Sequence, residues 1–390
     1  MAWVPRIPEI KSGLGLTNGQ FGLVLLGSTM GAIPGAQLAG RVIHRFSSRP
    51  IAIITGLSMP VGLFIMAVSQ FVWQLVVGLF VLGFSNAALD IACNTQAVAV
   101  ERIVSRRYMS SFHGMWSVGS FAATVFGGVM AKTLSPQRNL EVVAATALAV
   151  FVYATTRMLH GHSDGHKGHD GEPTSAKVAF IGGDSLVLWG LGIGLVGALI
   201  PETSAADWSG ILLRDHMGIG TGVTASAFAA FTLAMIVSRM TGDAVMMRWG
   251  PERTVRIGGY VGGCAMGAAV AIGVPLSSAS QSVALVVVCT GFAIAGLGIG
   301  PMFPAYMSAA GQVPGVAPSV GMARIGLIAL AGYFGGPSIT GGIAEVTSLP
   351  VAMAFPAALL VMAGWQSRYI GRTRSATGSA TRSATPTQPV

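Results

Sequence analysis

Charge is what this chain has least of. Only 9% of its 390 residues are Asp, Glu, Lys or Arg, where a soluble globular domain carries about a quarter. That shortage excludes an ordinary soluble fold. Acids are the scarcer sign, with 14 Asp and Glu against 23 Lys and Arg and a net charge of +9. A basic balance can mark a nucleic-acid binder, but here the basic residues sit between apolar runs, where orientation signals of membrane proteins lie. Cysteine is also scarce. Cys93, Cys264 and Cys289 fall in apolar segments with no CxxC pair, which excludes a disulfide framework and a cysteine metal site. No glycine-rich nucleotide-binding loop and no soluble catalytic domain occur. The chain reads as neither an enzyme nor an ATP-driven pump, and no cofactor or metal is implied.

What is present is apolar length. Hydrophobic residues make up 52% of the chain, and Gly alone accounts for 54, as expected where helices pack closely in lipid. The runs are long and lack the alternating period of barrel strands. The expected fold is therefore an all-α membrane bundle. Eleven apolar segments follow a short Pro-broken start, and they are numbered here from two. Spans 2 to 6 are Gln20–Gly40, Ile51–Ser69, Phe71–Val98, Tyr108–Met130 and Leu140–Leu159. Spans 7 to 12 are Val178–Ile200, Val223–Met240, Val255–Val274, Ser282–Met307, Val320–Ile343 and Pro350–Trp365.

Sixteen of the 23 Lys and Arg fall in one set of connecting segments. The positive-inside rule puts that set in the cytoplasm, with the C-terminus inside. Residues 1–159 form a first half, and 160–177 a polar His-rich cytoplasmic linker. Residues 178–368 form a second half, and 369–390 a Ser/Thr/Ala/Arg-rich tail with no core to build.

The halves are related. Gly40–Arg49 after span 2 aligns without gaps with Asp243–Glu252 after span 8, matching Arg45 with Arg248 and Phe46 with Trp249. Gly83-Phe-Ser-Asn-Ala in span 4 aligns with Gly296-Leu-Gly-Ile-Gly in span 10. Ala2-Trp3 is similar to Ala206-Asp-Trp208, which follows span 7. Repeat and parity together imply a first helix missing from this chain.

Two six-helix halves joined by a cytoplasmic linker resemble the major facilitator superfamily. The family's signature after span 2 is matched at Gly40, Arg45 and Arg49, with His44 in place of its Asp and Ser47 in place of its Gly. Trp3–Lys11, Asn94–Glu101, His113–Gly119 and Gly300–Phe303-Pro304 are similar to the YbjJ-like bacterial subgroup and, more distantly, to the fucose permeases. The resemblance covers residues 1 to about 368 and implies two pseudo-symmetric halves.

Candidate site residues are the polar groups inside spans. Asp90, Asn94 and Gln96 lie in the lower part of span 4. Asp90 and Asn94, four apart, share a helix face, and an intramembrane carboxylate is by default a functional-site hypothesis. The alternatives are a structural hydrogen bond to span 2 or 5, or a salt bridge to Arg324. The fucose permeases use a carboxylate on the matching helix, so the resemblance favours a proton or substrate role for Asp90. His113 and Trp116 open span 5, as solute ligands or as a packed helix start. Arg324 is a cation in apolar span 11, either a substrate ligand or a side chain snorkelling to the surface.

Arg45, Arg49, Glu101 and Arg248 are candidates for cytoplasmic contacts between halves. Arg239 and Asp243, four apart at the end of span 8, read as an intrahelical pair or a gate contact. Glu202 and Asp207, after span 7, read as solvated loop charge. The four histidines of the linker, His160, His162, His166 and His169, read as a solvated segment rather than a metal site.

The expected function is secondary active transport across the bacterial inner membrane by alternating access. The expected traffic is proton-linked symport of a small polar, sugar-like solute by a monomer. Export of a drug or metabolite, and a non-transporting receptor or inactive fragment, are the alternatives. Beyond solute, protons and lipid no partner is expected, and no nucleic acid.

Overall fold

In a computed structural model the chain is described over residues 1–104, 109–159, 183–314, 316 and 318–373. The His-rich linker and the tail from residue 374 lie outside the described residues, as do the side chains of Arg45, Glu101 and His113.

Every regular element among the described residues is helical. A 3₁₀ turn, Val4–Arg6, leads into α1, Ile7–Gly13. Then follow α2 (Asn18–Phe46), α3 (Ser48–Ala67), α4 (Val72–Val104), α5 (Met109–Met130) and α6 (Pro136–Thr155). Next come α7 (Gly183–Ile211), a π-helical turn (Leu212–His216), α8 (Ser226–Trp249), α9 (Pro251–Leu276) and α10 (Gln281–Ile299). The chain ends with α11 (Met302–Ala310), α12 (Pro318–Val346), α13 (Leu349–Ala352) and α14 (Ala354–Gln366). Pro301, lacking an amide hydrogen, separates α10 from α11 inside one expected span.

Ten helical stretches among the described residues are long and apolar enough to cross a membrane, where the sequence predicts eleven. Among the described residues the expected fifth contributes the shorter apolar run Gly114–Met130. The surfaces are those of a lipid-embedded protein. Leu23, Ile54, Phe64, Trp73, Leu186 and Leu327 are all exposed on spans. Without a bilayer these would be unfavourably hydrated.

The chain divides into two compact units. The first comprises Met1–Glu172, Gly210–Ala225 and Pro337–Leu349. The second comprises Pro173–Ser209, Ser226–Gly336 and Pro350–Val390. In the first unit α4 packs on α2 and α3, and α3 also packs on α6. In the second α10 packs on α8 and α9, and α9 also packs on α14. The same wiring recurs residue by residue. A Cβ added at Gly83 would strike the Ser28 carbonyl, and one added at Gly296 would strike the carbonyl of Phe231. Gly78 abuts Gly62 and Met66, and Gly291 abuts Ala265 and Ala269. Ser28 and Phe231, Gly62 and Ala265, and Met66 and Ala269 are all 203 residues apart.

The link after the second span repeats too. Ser47 ends α2 and starts α3 at φ 74°, ψ 168°. Gly250, 203 residues later, starts α9 at φ 79°, ψ 149°. Among the described residues Ser47 is the only non-glycine with positive φ. The position requires a backbone that glycine adopts freely, and this copy has serine there.

Candidate functional site

In the first unit α4 presents different residues to its two sides. Ala88 and Ala92 are buried in a small cluster with Ala39 and Ile43 of α2 and Ala52 of α3. Asp90, half a turn round the helix from both, is exposed. Asn94 Nδ2 donates to Asp90 Oδ2 at 3.2 Å. An exposed carboxylate within the spanning stretch Val72–Ala97 must meet water or a polar partner, because hydrocarbon cannot solvate it. One turn earlier, the Ser58 and Ser85 hydroxyls join α3 to α4 at 2.6 Å.

Gln96 lies further along α4. Its Nε2 donates to Ser48 Oγ at 2.9 Å, and its Oε1 accepts from the Leu159 amide at 3.1 Å. Both ends of the amide thus tie α4 to the start of α3 and to the segment after α6. Trp116 is 49% exposed on α5. Arg49 is half-buried at the start of α3.

The second unit holds Arg324, Arg239, Asp243 and Arg248. Asp243 and Arg248 are exposed on α8, and Arg324 is half-buried on α12. Arg239 meets a partner that sequence spacing does not suggest: Glu202 Oε2 on α7, 3.9 Å from Arg239 Nη2. Here the structure corrects the sequence reading. Glu202 and Asp207 are not loop charges after a span ending at Ile200. They lie within α7, inside the spanning stretch Leu186–His216. Helix continues through Pro201, which sacrifices one amide donor but does not force an end to a membrane helix. Tyr333 on α12 interacts electrostatically with both carboxylates. Glu202, Asp207 and Tyr333 are thus residues that the sequence reading missed as site candidates.

Back in the first unit, one end carries a set of polar ties. Lys11 Nζ lies 3.7 Å from Asp215 Oδ2. Arg214 donates through both terminal nitrogens to Ser12 Oγ at 3.1 Å. The Gly19 amide donates to Glu345 Oε2 at 2.9 Å, in the first turn of α2. Arg6 is almost wholly buried and donates to the Leu134 carbonyl and, at 3.2 Å, to Glu9. Burial lowers its pKa, and the Glu9 carboxylate opposes that shift. Among the described residues no three His, Cys, Asp or Glu converge to hold a metal ion.

An all-helical bundle with a recurring four-helix wiring and buried charge is a common transporter plan. The model of the Major Facilitator Superfamily matches residues 2–320. The chain belongs to the major facilitator superfamily. It is 28% identical over 374 residues to an uncharacterised MFS-type transporter of Yersinia pestis, covering 95% of this chain and 92% of the relative. It is 27% identical over 380 residues to the membrane protein MosC of Rhizobium meliloti, covering 96% and 87%. Among solved structures, that of the nucleoside transporter NupG superposes with a TM-score of 0.70 at 14% identity, covering 95% of each chain. The chain is thus a multi-pass membrane protein of a bacterial transporter type, and its superfamily is not enzymatic.

Proposed function

We propose that this superfamily member is a proton-coupled symporter that takes up a small polar, sugar-like solute by alternating access. The single observation behind this reading is the Asp90–Asn94 pair on an apolar spanning helix. A carboxylate there is stable when neutralised, so it binds a proton whenever water leaves the site, and releases it when water returns. Asn94 holds the carboxylate oxygen in place while offering further polar capacity to a solute. His113, Trp116 and Arg324 are proposed as additional ligands. Gln96 is proposed as a support that fixes the lower end of α4. Arg45, Arg49, Glu101, Asp243 and Arg248 are proposed contacts on the cytoplasmic side, the C-terminus being placed there by the basic bias. The monomer is the proposed working form, in the inner membrane. The solved neighbour transports nucleosides, which adds nucleosides to sugars as solutes to try.

Proteoliposomes of the full chain with an imposed pH gradient test the reading. The expected result is gradient-driven accumulation of at least one sugar or nucleoside. Asp90→Asn should abolish accumulation, at least 10-fold down, and preserve exchange of solute for solute. Accumulation by Asp90→Asn equal to wild type would remove Asp90 from coupling. Gradient-driven movement only outward would replace uptake with export.

A further inference from the structure

The second unit carries a charged cluster that the coupling reading does not use. We propose that Asp207, Tyr333 and the Glu202–Arg239 ion pair form a solute subsite that holds adjacent hydroxyl groups. The inference rests on the sugar-like solute proposed above and assigns the residues that recognise it.

Position comes first. Glu202 is central in the spanning stretch Leu186–His216, Arg239 is central in Ser226–Trp249, and Tyr333 is near the centre of Arg324–Val346. Three helices therefore bring polar groups together far from either end of their spans, where transporter solute sites are built. Charge comes second. Glu202 faces the Arg239 guanidinium, and Tyr333 interacts with Glu202 and Asp207 alike. Glu202 pairs with Arg239, their side chains 18% and 27% exposed, so that ion pair is accessible rather than sealed. Among the described residues Asp207 has no ion-pair partner, and it is only partly buried. An unpaired carboxylate within a spanning helix needs donors, and a solute can bring them.

Two further observations point to a ligand. Ser204 is fully buried, and its Oγ makes no hydrogen bond among the described residues. It precedes Asp207 by three residues and so lies on the same side of α7. Buried hydroxyls are normally satisfied. Tyr333 is 42% exposed although it lies in mid-span, and its phenol can both donate and accept. Pro337 lacks the amide that would bond the carbonyl of Tyr333, four residues earlier in α12.

The chemistry selects the ligand. Asp207 accepts two hydroxyl hydrogens, one on each oxygen, and Arg239 donates to a hydroxyl oxygen while it stays paired with Glu202. Vicinal diols fit this set. A solute lacking one hydroxyl leaves a buried acceptor without its donor, the arrangement that gives strong discrimination.

Counterflow in proteoliposomes of the full chain tests this without a pH gradient. The probes are ribose, xylose, adenosine and the 2-deoxy analogue of each ribose compound. Wild type is expected to prefer the diol over its deoxy analogue by at least 10-fold in half-saturation. Asp207→Asn and Tyr333→Phe are each expected to raise half-saturation for the diol about 10-fold and to shrink that preference. Tyr333→Phe removes one hydroxyl only, so it guards against a folding defect in the Asp207 variant. Counterflow with wild-type half-saturation and preference in both variants overturns the subsite and leaves transport standing. No counterflow of any probe by wild type overturns the sugar-like solute and the subsite together.

Discussion

At Ser47 the backbone demands what the side chain resists. Its φ of 74° with ψ of 168° is a region essentially reserved for glycine, and the second copy has Gly250 there. Holding a residue with a Cβ in that region costs about 1–3 kcal/mol. Glycine relieves this but adds unfolded-chain entropy worth about 0.4–1 kcal/mol. Ser47→Gly is therefore expected to stabilise the protein by about 1 kcal/mol, read as a higher unfolding midpoint in detergent. Gly250→Ala is expected to shift it the other way by a similar amount. A lower midpoint for Ser47→Gly would show that the serine hydroxyl contributes more than the strain removes. The alignment that paired residues 47 and 250 was legible in the sequence, because basic and aromatic neighbours mark the register. The strain was not, since residue type alone does not reveal φ. The partners of Gln96 were hidden for a related reason. Its chemistry suited a ligand, but its partners, Ser48 and Leu159, are set by the packing of three helices.

Elements follow from the sequence where hydropathy and length agree, and fail where a local signal overrides them. Most spans were legible because a helix crossing hydrocarbon needs about 20 apolar residues. The extension of α7 beyond Ile200 was not, because Pro201 and two nearby acids imitate a helix end. The Glu202–Arg239 pair was hidden because it joins residues on different helices, and no spacing rule reaches that far. The glycines at helix crossings are a better-read feature. At Gly83 an added Cβ would meet the Ser28 carbonyl, a piece of backbone that cannot turn aside. Gly83→Val should therefore force α2 and α4 apart and destabilise by at least about 2 kcal/mol, with Gly296→Val doing the same to α8 and α10. Gly114 on α5 is the control, since among the described residues nothing lies within 4 Å of its added Cβ. Gly114→Ala should be neutral or gain up to about 1 kcal/mol from helix propensity. Equal losses at all three positions would refute the crossing argument.

For the whole molecule, the polar ties at one end of the first unit bring together segments far apart in sequence. The first turn of α2 receives Glu345, and the start of the chain receives Arg214 and Asp215. A carboxylate on the first turn of a helix is favoured by unsatisfied amides and by the helix dipole. The Lys11–Asp215 pair is partly exposed and contributes about 0–1 kcal/mol. None of these ties is strong alone, which suits a closure that must open during transport. If they hold this end shut, then weakening two of them should shift the population several-fold toward the open form. Thr224 reports on it, being 1% exposed in the same unit. With Cys93, Cys264 and Cys289 replaced by serine, Thr224→Cys should label slowly with a membrane-impermeant thiol reagent. Adding Asp215→Asn and Glu345→Gln should raise the labelling rate by that factor, and Arg138→Gln, an exposed residue whose ion-pair partner among the described residues is its neighbour Glu141, should not. An unchanged rate in the double variant would mean that apolar packing around Ile7, Ile10 and Phe21, rather than the charges, keeps this end closed.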